Sequence, residues 1–103
     1  MRRGTTPTIT MTLPEEIHIS EITAAAFSIA QAGEEIISKH LSDLTADATS
    51  NTLEVTLSQE DTLALDKDIV AEIQLKVKTN SESVLVSDII RASVDRIING
   101  EVI

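Results

Sequence analysis

Apolar and polar residues alternate along several stretches of the chain, which is typical of strands with one face on a core and the other in water. The segment TITMTL, residues 8–13, alternates threonine with larger apolar residues between Pro7 and Pro14, and NTLEVTL, residues 51–57, repeats the pattern. IVAEIQLKV, residues 69–77, is the clearest case. The side chains predicted to point inward are Ile9, Met11, Leu13, Leu53, Val55, Leu57, Ile69, Ala71, Ile73, Leu75 and Val77.

Two shorter signals lie beside these strands. Ser58 is followed by glutamine and two acidic residues, which is typical of a helix start, and there is room for only about one turn as far as Leu63. TNSES, residues 79–83, is a polar turn sequence, and the VLV that follows it resumes extended character. The pattern therefore predicts a helical turn after the second strand and a hairpin after the third.

Two regions fit helix and strand equally well. Residues 21–44 are rich in alanine and have helical spacing at Ile37, Leu41 and Leu44, and residues 87–98 offer a serine cap and a helical apolar stripe. The strand alternative in the first region places Phe27 with Ile29, and Ile37 with Lys39 and Leu41, on either side of a hairpin turn at Gly33; in the second it uses Ile90, Ala92 and Val94. Period and propensity leave both alternatives open.

Length and composition indicate a single globular domain over residues 1–103. A chain of this size buries roughly 60–68% of its unfolded surface, which is enough for one core. The content of 42% hydrophobic and 24% charged residues is ordinary for a globular protein. Phe27 is the only aromatic residue, so the core is expected to be aliphatic, with Phe27 inside it.

The charge balance and the absence of cysteine exclude several classes of function. Eight basic residues face 17 acidic ones, and the net charge of −9 repels nucleic acid and anionic lipid surfaces. Without cysteine there is no disulfide or thiolate metal site. The threonines after Arg2 and Arg3 interrupt any secretion signal, and no stretch is apolar for long enough to cross a membrane.

No group of residues has the spacing of a catalytic or metal site. The acidic pairs lack the glycine turn of a calcium loop and any pattern that would separate their pKa values, so we interpret them as solvated charge. His18 and His40 stand apart in the sequence, and no serine lies in a nucleophile elbow. We therefore predict a protein that is not an enzyme and that uses no cofactor, metal or small-molecule substrate. The acidic pairs are Glu15 with Glu16, Glu34 with Glu35, Glu60 with Asp61, and Asp66 with Asp68.

The basic residues at the N-terminal end are candidates for an interface. Arg2 and Arg3 precede the first strand, and Arg91 and Arg96 join them if the last strand lies beside the first. Such a basic patch could bind the acidic face of another copy or of a partner protein. The alternative is a solvated, frayed end of the chain.

Three segments resemble small structural proteins of tailed-phage and prophage gene clusters. They are RGTTPTITMTLP at residues 3–14, SQEDTLAL at 58–65 and SVDRIINGEVI at 93–103. The family is similar to the N-terminal domain of phage baseplate upper proteins, and the resemblance runs over nearly the whole chain. The chain departs from it at AAAFSIAQ, residues 24–31, where relatives more often have a tyrosine or a second phenylalanine.

The resemblance implies an all-β protein: an Ig-like antiparallel β-sandwich of about seven short strands, in which both ambiguous regions are strands. It also implies a non-enzymatic assembly module of a phage or prophage tail, whose partners are other phage structural proteins or copies of itself. Its location would be the bacterial cytoplasm during assembly and then the virion. The alternatives are a free-standing Ig-like adhesion or carbohydrate-binding module, and an α+β regulatory protein if the ambiguous regions are helical.

Overall fold

A computed structural model, which describes all residues from Met1 to Ile103, shows eight strands in two antiparallel sheets. The strands are β1 (Thr8–Thr12), β2 (Ile22–Gln31), β3 (Glu34–His40), β4 (Thr45–Asp47), β5 (Thr52–Thr56), β6 (Ala71–Thr79), β7 (Val84–Val86) and β8 (Ile90–Ala92). One helical turn, α1 (Gln59–Leu63), follows β5, and 3-10 turns occupy Ile19–Glu21 and Leu41–Asp43. The all-β sandwich predicted from the sequence is confirmed.

The two sheets differ in their number of strands and in their edge strands. The three-stranded sheet has the order β1-β5-β4, and the five-stranded sheet has the order β3-β2-β6 with β7 and β8 both on the outer side of β6. β7 and β8 lie along one edge, separated by residues 87–89. The strand that the sequence did not predict is β4, a three-residue strand that pairs with β5.

The central strand β2 forms in the region that the residues alone left open. It pairs with β3 on one side and with β6 on the other, so long-range ladders override the helix propensity of its alanines. Its inward-facing Phe27 and Ile29 are completely buried. Ala32 and Gly33 both have positive φ angles, 51° and 79°, as a two-residue hairpin turn of type I′ requires.

The core lies between the sheets and is aliphatic apart from Phe27. The inward positions of β5 and β6 are buried as predicted, with one exception. Ile69 is 38% exposed, because β6 begins only at Ala71 and Ile69 belongs to the preceding loop. The buried apolar residues are Leu13, Ile17, Ala25, Phe27, Ile29, Ile37, Leu53, Val55, Leu57, Leu65, Ala71, Ile73, Leu75, Val77 and Val94.

The helical turn is fixed by its cap, as the sequence predicts. Ser58 Oγ accepts a hydrogen bond from the Asp61 N–H at 3.1 Å, and Asp61 Oδ2 accepts one from the Ser58 N–H at 2.9 Å. Two of the N–H groups that a helix start leaves unpaired are thereby satisfied. Thr62, within the turn, is buried and donates to the Thr5 carbonyl, which joins α1 to the segment before β1.

Candidate functional site

The two arginines at the N-terminal end bind the protein's own C-terminal segment and helical turn. Arg2 Nη1 donates to the Arg96 carbonyl at 2.8 Å, and Arg3 Nη2 donates to the Leu63 carbonyl at 2.9 Å. The Arg3 N–H also donates to the Asp95 carbonyl, so residues 1–3 run parallel to residues 93–95. This end is therefore neither frayed nor extended toward solvent.

The four basic candidates do not form one patch. Arg96 lies against Arg2 at the joined chain ends, and its side chain is exposed. Arg91 is on β8, where its Nη2 lies 3.6 Å from Glu72 Oε2 on the neighbouring strand β6. The structure brings Arg2, Arg3 and Arg96 together and places Arg91 in a separate ion pair.

The acidic pairs and the histidines are dispersed over the surface. His18, His40, Glu15, Glu16, Glu34 and Glu35 are all exposed. No group of three or more His, Asp or Glu side chains is arranged to hold a metal ion. Hydrogen bonds from the Ser50 side chain and from the backbone of Ser50 and Thr49 lower the pKa of the exposed Asp47 carboxyl below its ordinary value.

The largest uninterrupted exposed segment is the outer edge of the five-stranded sheet. Every residue from Asn80 to Arg91 is exposed, although this segment contains all of β7 and the first two residues of β8. We call residues 84–90 the apolar edge. Exposed apolar side chains within it are those of Val84, Leu85, Val86, Ile89 and Ile90. Contiguous apolar surface of this kind is typical of protein-interaction sites.

The backbone of the apolar edge is able to accept another strand. Hydrogen bonds from the Thr79 N–H to the Ser83 carbonyl and from the Ser87 N–H to the Leu75 carbonyl fix which residues face β6. The alternation of an antiparallel ladder then directs the Leu85 N–H and C=O toward β6, and those of Val84 and Val86 away from it. These outward groups have the geometry used in binding by strand addition.

Ser87 interrupts this edge. Its Oγ accepts a hydrogen bond from the Leu75 N–H at 2.9 Å, and its carbonyl accepts one from Gln74 Nε2 at 2.9 Å. The serine side chain thus replaces a backbone acceptor of the ladder and lets the chain bulge between β7 and β8. The length of edge available for regular pairing is consequently limited to β7 and its immediate neighbours.

A cleft of about 370 Å³ opens between the apolar edge and β1 of the other sheet. We call it the edge cleft. Ile9, Met11 and Leu13 line its wall on the β1 side, and Leu85 and Ile90 line the opposite wall. Its base is formed by Ile73, Leu75 and Val77, the inward-facing residues of β6. The sandwich is therefore incompletely closed along this side, and the cleft is lined mainly by aliphatic side chains.

Two other sheet edges, β3 and β4, carry features that discourage strand pairing. β3 has Glu34, Glu35, Lys39 and His40 and a register shift opposite Ile29–Ala30. β4 has only three residues and ends in Asp47. Charged side chains, irregular register and short length all protect edges against association, and Val84–Val86 has no charged side chain.

The sequence pattern predicts β7 as a strand but not its exposure. A signal was present, because VLV and DII place apolar residues next to one another where a half-buried strand would alternate. Adjacent apolar residues are also expected in a strand buried on both faces. Only the sheet order distinguishes the two cases, since it places this segment at an edge.

Neither the known protein-family models nor the curated proteins match the chain at a significant level. None of the helical segments has the length and apolar character needed to traverse a lipid bilayer.

Proposed function

We propose that the protein is a non-enzymatic assembly module of a phage or prophage tail, similar to a baseplate component. It joins neighbouring subunits through the apolar edge and the edge cleft. Its partners are other phage structural proteins or copies of itself. The assignment to a phage tail rests on the resemblance of residues 3–14, 58–65 and 93–103 to that family.

The observation that supports an assembly role is the exposure of the apolar edge beside the edge cleft. An isolated domain with this surface leaves the backbone groups of Val84 and Val86 and five large aliphatic side chains in water. Added protein would bury those side chains and complete the hydrogen bonds of the sheet edge. Both gains are specific to a protein partner, because a strand supplies apolar side chains and backbone groups together.

The basic end is a second contact surface in this proposal. Arg2 and Arg3 each use a guanidinium N–H within the chain, and Arg91 faces Glu72. Arg96 offers an exposed guanidinium on a protein whose net charge is −9. It is the arginine best placed to bind an acidic neighbour.

A carbohydrate-binding role finds less support in the surface. Sugar-binding modules stack exposed aromatic rings on the ligand, and the single aromatic side chain, Phe27, is completely buried. The edge cleft is lined mainly by aliphatic groups, which offer few hydrogen-bond partners for sugar hydroxyls.

Particle recovery tests the assembly role. Prophage would be induced in the bacterium that carries the gene, particles separated on a density gradient, and the chain followed with an antibody. We expect it to sediment with the particles, and an abundant cytoplasmic protein of the same cells to remain at the top. Recovery of the chain only as free protein would contradict the proposal.

A pair of matched variants tests whether incorporation into particles depends on the apolar edge. Val86→Lys places a charge on the apolar edge, whereas Ile98→Lys changes an apolar side chain that is 95% exposed elsewhere. We expect the first variant to be depleted from particles and the second to be incorporated like the wild type. Equal incorporation of both would exclude the apolar edge as the contact surface.

A further inference from the structure

We propose that the apolar edge binds a second copy of this chain, with β7 pairing antiparallel to β7 of that copy about a two-fold axis at Leu85. The five strands of each copy would form one continuous sheet. This inference rests on the proposed function only in using the apolar edge as the contact surface. It adds that the partner at this edge is a second copy of the chain.

The backbone favours a self-complementary register. Val84 and Val86 both direct their N–H and C=O outward, so a hydrogen-bonded pair across the new interface must join two such residues. A two-fold axis at Leu85 forms two such pairs, because Val84 of each copy lies opposite Val86 of the other. Leu85 then lies opposite Leu85 of the second copy in a non-hydrogen-bonded pair, in which side chains approach most closely.

The same register matches the side chains on both faces of the sheet. Leu85 is opposite the buried Val77 within one copy, so the inner face would carry the row Val77, Leu85, Leu85 and Val77. Val84 and Val86 are opposite Lys78 and Lys76 within one copy. The outer face would therefore carry two valines between two lysines in each row, with the lysine stems extending over the valines.

Charge favours a second copy at this edge despite the net charge of −9 on each. The ionisable residues around β7 and β8 balance, with three cations and three anions. In this register Asp88 of the second copy lies opposite Glu82, and the Lys78 ammonium, already 2.8 Å from Glu82 Oε2, offsets the repulsion between the two carboxylates. Association here avoids the repulsion that most other faces would produce. The six residues are Lys76, Lys78, Arg91, Glu72, Glu82 and Asp88.

The edge cleft explains why two copies gain more than one ladder of hydrogen bonds. Leu85 lines the cleft, and in the pair the two clefts would meet under the two Leu85 side chains. Each Leu85, which is 41% exposed in the single chain, would cover the other. A different protein strand in the cleft is the competing occupant, and it predicts a monomer when the purified chain is alone.

Sedimentation of the purified full chain over a concentration series is the first test. We expect a reversible dimer, and we expect Leu85→Lys and the strand-compatible Leu85→Thr to raise the dimer dissociation constant by at least about tenfold. Ile98→Lys is the matched control and should leave it unchanged. A chain that stays monomeric at all soluble concentrations, or a dimer indifferent to both Leu85 variants, would overturn the inference.

Cysteine cross-linking tests the register, since the chain has no cysteine of its own. Opposite Cα atoms in a non-hydrogen-bonded pair are about 4.5 Å apart, within disulfide range, whereas diagonal neighbours are about 7–8 Å apart. We expect Leu85→Cys to form a covalent dimer under mild oxidation faster than Val84→Cys, whose closest counterpart is Val86. Equal rates would contradict this register.

The two proposals fail separately. A chain that is monomeric in solution and yet sediments with particles would overturn the two-fold dimer and leave the assembly role intact. A dimer in solution that never reaches particles would support the dimer and contradict the assembly role.

Discussion

Lys39 Nζ lies 3.0 Å from Asp61 Oδ2, so a strand of the five-stranded sheet is joined to the helical turn that follows the three-stranded sheet. Lys39 occupies an inward-facing position of β3 opposite Phe27, and its ammonium group extends past the core to reach Asp61. Asp61 also caps α1 through Ser58. One carboxylate thus stabilises both the helical turn and the contact between the sheets.

We expect Asp61→Asn to lower the free energy of unfolding by about 1–2 kcal/mol at neutral pH, because it weakens the cap and leaves the Lys39 ammonium without a carboxylate. Glu60→Gln removes the same charge from the exposed neighbouring residue and should change stability by less than about 0.5 kcal/mol. Urea unfolding of both variants measures the difference. Equal losses of unfolding free energy in the two variants would show that only the negative charge at the helix start, and not the cap or the Lys39 ion pair, contributes to stability.

The contribution of Asp61 should depend on pH in a defined direction. Burial raises the pKa of its carboxyl, but hydrogen bonds from Ser58 and Lys39 and the charge of Lys39 outweigh burial and hold the pKa below the ordinary value of 3.8. The stabilisation is therefore complete above that ordinary value and is lost as the pH falls through the lowered folded-state pKa. We expect the stability difference between wild type and Asp61→Asn to shrink in acid; a constant difference would contradict this account.

Gln31 is a buried amide that holds the loop before β6. Its Nε2 donates to the carbonyls of Asp66 and Ile69 at 2.8 and 2.9 Å, and its Oε1 accepts from the Asp66 N–H at 2.8 Å. We expect Gln31→Ala to cost about 2–4 kcal/mol, because buried backbone groups would lose their partners. Gln74→Ala removes a single bond from a half-exposed glutamine and should cost about 1 kcal/mol or less. Chemical unfolding would show whether the two differ.

Asn51 combines a left-handed backbone with hydrogen bonds to the loop after β1. Its φ is 56°, its Nδ2 donates to the carbonyls of Pro14 and Ile17, and its Oδ1 accepts from the Ile19 N–H. Asn51→Gly removes the bonds alone, whereas Asn51→Ala adds backbone strain of about 1 kcal/mol. We expect the alanine variant to be the less stable in thermal unfolding. The reverse order would contradict a role for backbone strain at this residue.

Alanine substitutions at the three glycines distinguish the cost of backbone strain from the cost of a steric contact at the joined chain ends. Gly4 and Gly33 have φ of 77° and 79°, and a Cβ on Gly4 would lie 2.9 Å from Ile97 Cδ1, whereas Gly33 and Gly100 have open space. Alanine at Gly33 should cost about 1 kcal/mol through strain alone. Alanine at Gly4 should cost at least as much and should speed amide exchange of Arg3 and Asp95, while Gly100→Ala should be nearly neutral. Unchanged exchange in Gly4→Ala would contradict the role of this contact.

Local patterns predicted the strands whose two faces differ in polarity. The alternation in residues 8–13, 51–57 and 69–77 placed β1, β5 and most of β6, and the cap at Ser58 placed α1. These predictions succeed because each depends on neighbours within a few residues. The prediction that Ile69 points inward was wrong, because β6 starts only at the residue that has partners on β2 and β8. A short segment of sequence does not show where those partners are.

The alanine-rich region was settled by its neighbours in space. Phe27 and Ile29 fit a strand, the alanines fit a helix, and the residues alone left both structures open. Pairing of β2 with both β3 and β6 satisfies its backbone on two sides, and this long-range gain exceeds the local preference of alanine. The all-β expectation that the family resemblance implied for this region is confirmed.

The candidate site likewise combines features that the sequence predicts with features that depend on the tertiary structure. The sequence by itself determined an acidic, aliphatic domain without a catalytic or metal motif, with a strand at VLV and with basic residues near both ends. Only the tertiary structure decided that VLV borders solvent and the edge cleft, and that Arg2 and Arg3 bind residues some 60 or more positions away. The physical reason is that burial and pairing depend on which strands become neighbours, and that choice is made by the whole chain.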